Sequence, residues 1–214
     1  MSEELARRLS AAGISDPRVL EAVARLARRQ FVPPSLVAEA DEDRPLPIGL
    51  GQTISQPFVV AYMTEQLRLE GWEKVLEVGT GSGYQAAVLA LLAREVFSIE
   101  ILPELAERAE RALQGLGLRN VQLRVGDGAL GWPEAAPFDR IMVTAACPEV
   151  PPPLVTQLAP GGRMILPVGE PFDFQVLRVV QKGRDGAAVE SDLLPVRFVP
   201  LTRAAPAAGG SASA

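Results

Sequence analysis

The sequence predicts an α/β chain with a doubly wound, mostly parallel sheet, a helical N-terminal region and an antiparallel C-terminal addition. Three observations carry this. Between residues 74 and 168, short runs rich in Val, Ile, Leu and Phe alternate with helical patterns. Parallel strands buried on both faces read as such continuous apolar runs, and their alternation with helices implies right-handed crossovers. The first seventy residues lack this alternation. The last two strand-like runs, Phe174 to Gln181 and Val189 to Val199, are separated by Lys182-Gly183-Arg184-Asp185-Gly186, and an Asp-Gly pair there signals a hairpin.

Taken in order, Asp16-Pro17 reads as a helix N-cap followed by proline at the first helical position. Val19, Leu20, Val23, Leu26 and Ala27 then recur at helical spacing, with Arg25, Arg28 and Arg29 opposite them as a solvated face. Pro33-Pro34 is expected to stop that helix. The Pro- and Gly-rich stretch from Asp41 to Pro57 is too long for an ordinary connector and is expected to be a functional loop. A second helix is expected from Gln56-Pro57 through Leu67.

The alternating part predicts strands at 74–78, 95–101, 121–125, 138–144 and 163–168. Helices are expected at 83–93, from Pro103 to the glycines at 115 and 117, and at 152–158. The chain thus divides into a helical region with a covering loop (1–70), a core (71–170), C-terminal strands (171–203) and a small-residue tail expected to be disordered (204–214).

Composition narrows the chemistry. With 48% hydrophobic residues in 214, a substantial core can form. A net charge of -5 argues against nucleic acid as the main partner. The one cysteine, Cys147, forms no disulfide and sits where nothing would activate it. The histidine count is zero, which removes the usual triads, imidazole bases and histidine metal sites; no metal is expected. The start carries no basic region followed by an apolar run, and no stretch reaches membrane-span length, so a soluble cytoplasmic protein is expected.

Gly79-Thr80-Gly81-Ser82-Gly83 follows a strand and opens a helix, the context in which glycines let a backbone turn sharply and approach a ligand. Glu100 ends the next strand, where a carboxylate can accept both hydroxyls of a ribose, with Ile101 beside it. The dinucleotide pattern is not met, because Tyr84 and Gln85 follow Gly83, and no phosphate-binding lysine follows the loop.

Glu77-Val78-Gly79-Thr80-Gly81-Ser82-Gly83 resembles the first motif of the Rossmann-like S-adenosylmethionine-dependent methyltransferases. Gly126-Asp127-Gly128, Phe138 to Thr144, and Leu158-Ala159-Pro160-Gly161-Gly162-Arg163 look like later motifs of the same group, in the same order. Upstream, Pro45 to Pro57 with its Gly51-Gln52-Thr53-Ile54-Ser55 segment resembles the protein-L-isoaspartate O-methyltransferases. So do Arg29 to Pro33 and the ending Pro195 to Leu201, and the resemblance runs from about Leu5 to Thr202.

The resemblance implies methyl transfer to the free α-carboxylate of isoaspartyl residues in damaged proteins and peptides, followed by collapse to a succinimide. It implies Ser55 as the active-site residue, and Thr53, Ile54, Ser55 and Gln56 beside the cofactor. Further cofactor positions are Glu77, Gly79, Thr80, Gly81, Ser82, Gly83, Glu100, Ile101, Asp127, Gly128 and Thr202. Leu50 stands where that family often carries histidine, so no histidine role there can be essential. A monomer is expected, acting on proteins and peptides. Another carboxylate or protein acceptor is the alternative.

The inventory suits this chemistry, because a carboxylate nucleophile is already ionised at neutral pH and needs no histidine base. Ser55 would orient it by donating a hydrogen bond; read without the resemblance, Ser55 is a helix N-cap. The run Val196 to Val199 reads either as a strand that pairs with an extended substrate by strand addition or as an ordinary sheet edge.

Overall fold

The computed structural model describes residues 2–170 and 173–204. Two helices, α1 (Ser2–Ala11) and α2 (Pro17–Arg25), pack over α3 (Pro57–Leu67) through Leu5, Leu9, Val19, Val23 and Ala61. Asp16 caps α2 by accepting the Arg18 N–H at 2.9 Å, with Pro17 at the first helical position as expected.

The helix does not run on to Pro33-Pro34. It ends at Arg25 because Leu26 turns extended, and Arg28–Phe31 form a separate 3-10 turn. The break buries Leu26, Arg28 and Phe31 together, which one continuous helix face could not do. Arg28 has no exposed surface, so the expected solvated arginine face is wrong at that residue.

The stretch expected to be a loop contains a short antiparallel ribbon, β1 (Leu46–Gly49) and β2 (Gln52–Ile54). Leu46, Ile48 and Ile54 point inward at the period of two that a half-buried strand requires. Its tip, Gly49-Leu50-Gly51, holds φ values of 92°, 54° and 73°, left-handed backbone for which glycine is suited on either side of Leu50.

The core contains β3 (Lys74–Val78), α4 (Tyr84–Ala90), β4 (Glu95–Glu100), α5 (Pro103–Gly115), β5 (Val121–Val125), β6 (Phe138–Val143), α6 (Pro152–Gln157) and β7 (Leu158–Gly169). Then β8 (Gln175–Lys182) and β9 (Ala188–Val196) continue the same sheet. Its order is β5-β4-β3-β6-β7-β8-β9, parallel through β7 and antiparallel beyond. The doubly wound sheet with an antiparallel addition is therefore present. Val75, Leu76, Glu77 and Val78 of β3 have no exposed surface, which is why that strand lacks polar alternation.

Helix α3 is buried between the sheet and the N-terminal helices. The last carbonyls of a helix have no partner inside it. Here Arg163 Nε donates to Gln66 O at 2.5 Å, and Arg140 donates to Leu67 O at 2.7 Å and Arg68 O at 3.2 Å. Two cationic strand residues thus fasten the helix that follows Ser55.

β9 stops at Val196, short of the expected Val199. Beyond it the backbone is taken up otherwise: the buried Gln175 side chain accepts from Phe198 N–H at 2.7 Å and donates to Phe198 O at 3.2 Å. Val199 O accepts from Ala146 N–H at 2.8 Å. The Phe198 N–H and O and the Val199 O are thus already paired and not open to an added strand. Of the tail expected to be disordered (204–214), Ala204 is placed, donating to Asp127 at 3.2 Å, and residues 205–214 lie outside the described residues.

Candidate active site

In an open α/β sheet, ligands bind at the carboxyl ends of strands where the winding reverses. Here that point lies between β3 and β6. From β3 the chain winds outward to β4 and β5, and from β6 it winds the other way to β7. The residues leaving those two strands are Gly79 and Thr144. Thr144 Oγ1 donates to Gly79 O at 2.6 Å, and a side chain on Gly79 would collide with that hydroxyl.

The glycine turn is held from below and from the side. Gly79 N–H and Thr80 N–H both reach Ile99 O, at 2.8 and 3.3 Å. Glu100 accepts from Gly81 N–H at 2.7 Å and from Leu102 N–H at 3.1 Å, so its carboxylate braces the turn as well as facing the cavity beside it. Glu77 lies fully buried beneath the turn. Ser98 donates to it, the Thr80 and Ser98 hydroxyls meet at 2.6 Å, and Glu77 Oε1 has no partner among the described residues. Burial pushes the Glu77 carboxyl up to about 8, helped by the charge of Glu100 and opposed by the Ser98 bond.

Asp127 caps the short 3-10 turn Gly128–Leu130 by accepting Ala129 N–H at 3.0 Å. Its other oxygen accepts from Arg203 Nε at 2.9 Å and Ala204 N–H at 3.2 Å. Gly128 passes so close to Val78 that no side chain would fit there.

Two cavities open on this point. The first is a slot of about 60 Å³ between the glycine turn and the segment Val199–Thr202, walled also by Thr53, Glu100, Ile101, Gly128 and Thr144. Its lining holds one carboxylate and no lysine or arginine, a donor and acceptor set that suits a nucleoside with hydroxyls and no phosphate. The second is a groove of about 720 Å³, lined among others by Thr53, Ser55, Gln56, Phe58, Phe174 and Arg197. Thr53 and Thr144 wall both cavities. Among the described residues no three His, Cys, Asp or Glu side chains come together as a metal site.

The site residues expected from sequence converge here in large part. Ile54, Ser55, Thr80 and Ser82 line a small space beside the glycine turn. Gly79, Gly81, Glu100, Ile101, Gly128 and Thr202 line the slot. Gln56 faces the groove, where its Nε2 donates to Asp43 at 2.9 Å. Gly83 is packed against Ala109 of α5 rather than facing a cavity. Glu77 lies under the turn and Asp127 behind the rim, occupied by Arg203.

Ser55 is not the cap of α3. Gln56 holds that position, and the first-turn N–H of Phe58 is accepted by Asp43 at 2.8 Å. The Ser55 hydroxyl is thus left for the cavities. Residues that sequence reasoning passed over include Asp43, Thr144, Gln175 and Arg203. Only Thr144 had a signal, as the last residue of an expected strand.

Comparison with known proteins agrees with the geometry. Residues 1–205 match the family model described as protein-L-isoaspartate(D-aspartate) O-methyltransferase. The chain is 69% identical to the protein-L-isoaspartate O-methyltransferase of Anaeromyxobacter dehalogenans (strain 2CP-C), over 97% of this chain and 100% of that one. It is 60% identical to that of Myxococcus xanthus (strain DK1622), over 91% of this chain and 92% of the relative. A solved protein-L-isoaspartate O-methyltransferase superposes with a TM-score of 0.85 at 33% identity, covering 94% of this chain and 65% of that one. A Plasmodium falciparum protein described as a member of the same family, solved in complex with S-adenosyl-L-homocysteine, superposes with a TM-score of 0.83 at 25% identity, covering 95% and 99%. With the glycine turn at the switch point, the Ser55 segment between two cavities and these likenesses over nearly its full length, the chain belongs to the protein-L-isoaspartate(D-aspartate) O-methyltransferase family.

Proposed function

We propose that this chain transfers a methyl group from S-adenosyl-L-methionine to the free α-carboxylate of L-isoaspartyl residues in damaged proteins and peptides, initiating repair through a succinimide. The observation that carries this reading is the shared wall. Thr53 and Thr144 line both the nucleoside slot and the groove, and Ser55 lines the groove beside the glycine turn. A peptide lying in the groove would have its carboxylate beside the slot along this wall.

When bound, S-adenosyl-L-methionine supplies an electrophilic methyl carbon on a sulfonium centre. The residues of this chain do the rest. Glu100 accepts from ribose hydroxyls while bracing the turn. Ser55 donates to one carboxylate oxygen and leaves the other free to attack. No proton has to be removed, consistent with a chain that has no histidine. Opposite charges meet and cancel, so a site that excludes water favours the reaction. Positioning within roughly 3–3.5 Å is the main catalytic demand.

In this reading the N-terminal region covers the site, the core holds the cofactor, and the C-terminal strands complete the groove. The chain works as a monomer in the cytoplasm, on proteins and peptides rather than nucleic acid or membranes. Among the described residues, no helix is long and apolar enough to cross a membrane.

The test is radiolabelled methyl transfer to paired peptides, one isoaspartyl and one normal aspartyl. Only the isoaspartyl peptide should be labelled; equal labelling, or none, overturns the assignment. Ser55→Ala should lower kcat roughly 10- to 100-fold while leaving cofactor affinity within about twofold.

A further inference from the structure

Among the described residues Arg28 is the largest fully buried polar side chain, and the reaction as described does not use it. It sits in the 3-10 turn Arg28–Phe31, outside the lining of the groove. Among the described residues its guanidinium is hydrogen-bonded to backbone carbonyls alone. Nη1 donates to Ala40 O and, at 3.4 Å, to Glu42 O. Nη2 donates to Arg44 O at 3.1 Å and Ser55 O at 3.0 Å. Among the described residues no carboxylate pairs with it within ion-pair distance; Asp41, Asp43, Arg44 and Tyr84 are the titratable groups around it.

A buried cation without a carboxylate partner is costly, and the carbonyls that accept from Arg28 are what offset that cost. What Arg28 does that no apolar residue can is tie two stretches of backbone to one planar fork. Nη1 holds the loop at Ala40 and Glu42, and Nη2 joins the same loop at Arg44 to the carbonyl of Ser55. Asp43, carried by that same loop, reaches across to Gln56 Nε2 at 2.9 Å and Phe58 N–H at 2.8 Å. Ser55 is therefore fastened on its own carbonyl by Arg28 and on its C-terminal side through Asp43.

We propose that Arg28 is a positioning residue for Ser55: its guanidinium locks the Ser55 backbone against the loop Ala40–Arg44 and so fixes where the Ser55 hydroxyl points. This rests on the reading of Ser55 as the group that orients the substrate carboxylate. The expected signature is a loss in kcat that depends on the presence of the hydroxyl.

The experiment is a double-mutant cycle on the full chain with Arg28→Lys and Ser55→Ala, each alone and together, with Arg28→Met as a second variant. Melting temperature, S-adenosyl-L-homocysteine affinity by calorimetry, and kcat and KM on an isoaspartyl peptide are measured for each. Lysine keeps the charge but cannot span the four carbonyls, so Arg28→Lys should lower kcat about tenfold with cofactor affinity within about twofold. In the Ser55→Ala background the same change should lower kcat little further. An equal loss in both backgrounds, a fully active Arg28→Lys or Arg28→Met protein, or variants that fail to fold or lose cofactor affinity in parallel assign Arg28 to the scaffold and overturn the proposal. A Ser55→Ala enzyme as active as the wild type would instead overturn the reading of Ser55.

Discussion

Asp127 and Arg203 lie 76 residues apart and meet through a 2.9 Å bond from Arg203 Nε to Asp127 Oδ2. The pair fastens the end of the segment Val199–Thr202, which walls the nucleoside slot. Ligand cavities run to about 300–1,000 Å³, whereas the slot measures about 60 Å³. The segment is expected to lift when a nucleoside enters. Arg203 is 60% exposed, so the ion pair contributes only about 0.2–1 kcal/mol. Arg203→Ala should raise the association and dissociation rates of S-adenosyl-L-homocysteine up to about fivefold, with a smaller change in affinity. Stopped-flow mixing would reveal this, and exchange at the wild-type rate would show that the pair does not gate the slot.

The same carboxylate carries a pH signature. Burial pushes Asp127 upward, but the bonds from Arg203, Ala129 N–H and Ala204 N–H outweigh it and hold the carboxyl below its ordinary value. A depressed folded-state value lends stability that is present at neutral pH and lost as pH falls through the acid range. Asp127→Asn should therefore melt below the wild type at pH 7, with the gap closing in acid. A gap that stays constant down to pH ~3 would contradict this.

Glu77 acts in the opposite sense. Its folded-state value, about 8, lies above the ordinary 4.5. The stability it lends is complete below the ordinary value and drains away as pH climbs toward about 8. Glu77→Gln mimics the protonated form and should flatten the stability profile between these limits, a difference on the order of a few kcal/mol. Parallel denaturation profiles for the two proteins would refute the assignment.

The turn glycines differ in what surrounds them. Gly79 has a φ of 94° and faces the Thr144 hydroxyl, whereas Gly81 has a φ of 54° and open space, its nearest contact being Ile48 at 3.6 Å. Gly79→Ala should lower stability by about 2–4 kcal/mol and abolish cofactor binding. Gly81→Ala should cost about 1–2 kcal/mol and act mainly on affinity. Calorimetric titration beside thermal melts separates the two, and equal stability losses would count against the difference.

Gln175 supplies both backbone partners of Phe198 from a fully buried side chain. Gln175→Leu fills the space but strips both bonds, costing about 1–3 kcal/mol. It should also raise KM for isoaspartyl peptides, because Phe198 and its neighbours line the groove. A variant of unchanged KM would place the groove's recognition elsewhere.

The elements legible in the sequence were those specified locally. Apolar runs located β3 through β6, Asp16-Pro17 located the start of α2, and the spacing of Gly79, Gly81 and Gly83 located the turn, because each answers a backbone need visible within a few residues. The ribbon β1–β2 was hidden by Pro45 and Pro47, which obscure a period of two carried by only three inward residues. Asp43, Gln175 and Arg203 were illegible for another reason. Each satisfies backbone or charge 15 to 76 residues away, and no spacing rule reaches that far. Arg28 was misread because an arginine at helical spacing looks solvated until the helix is seen to end before it.

Val199 lines both the groove and the slot, on the segment that Arg203 fastens. One stretch of backbone thus borders both the groove proposed for the peptide and the slot proposed for the nucleoside. A peptide seated against Val199 would hinder displacement of that segment, so the expected kinetic order is cofactor before peptide, with S-adenosyl-L-homocysteine released after the methylated product in each turnover. Product-inhibition patterns check this, and a random order would contradict it.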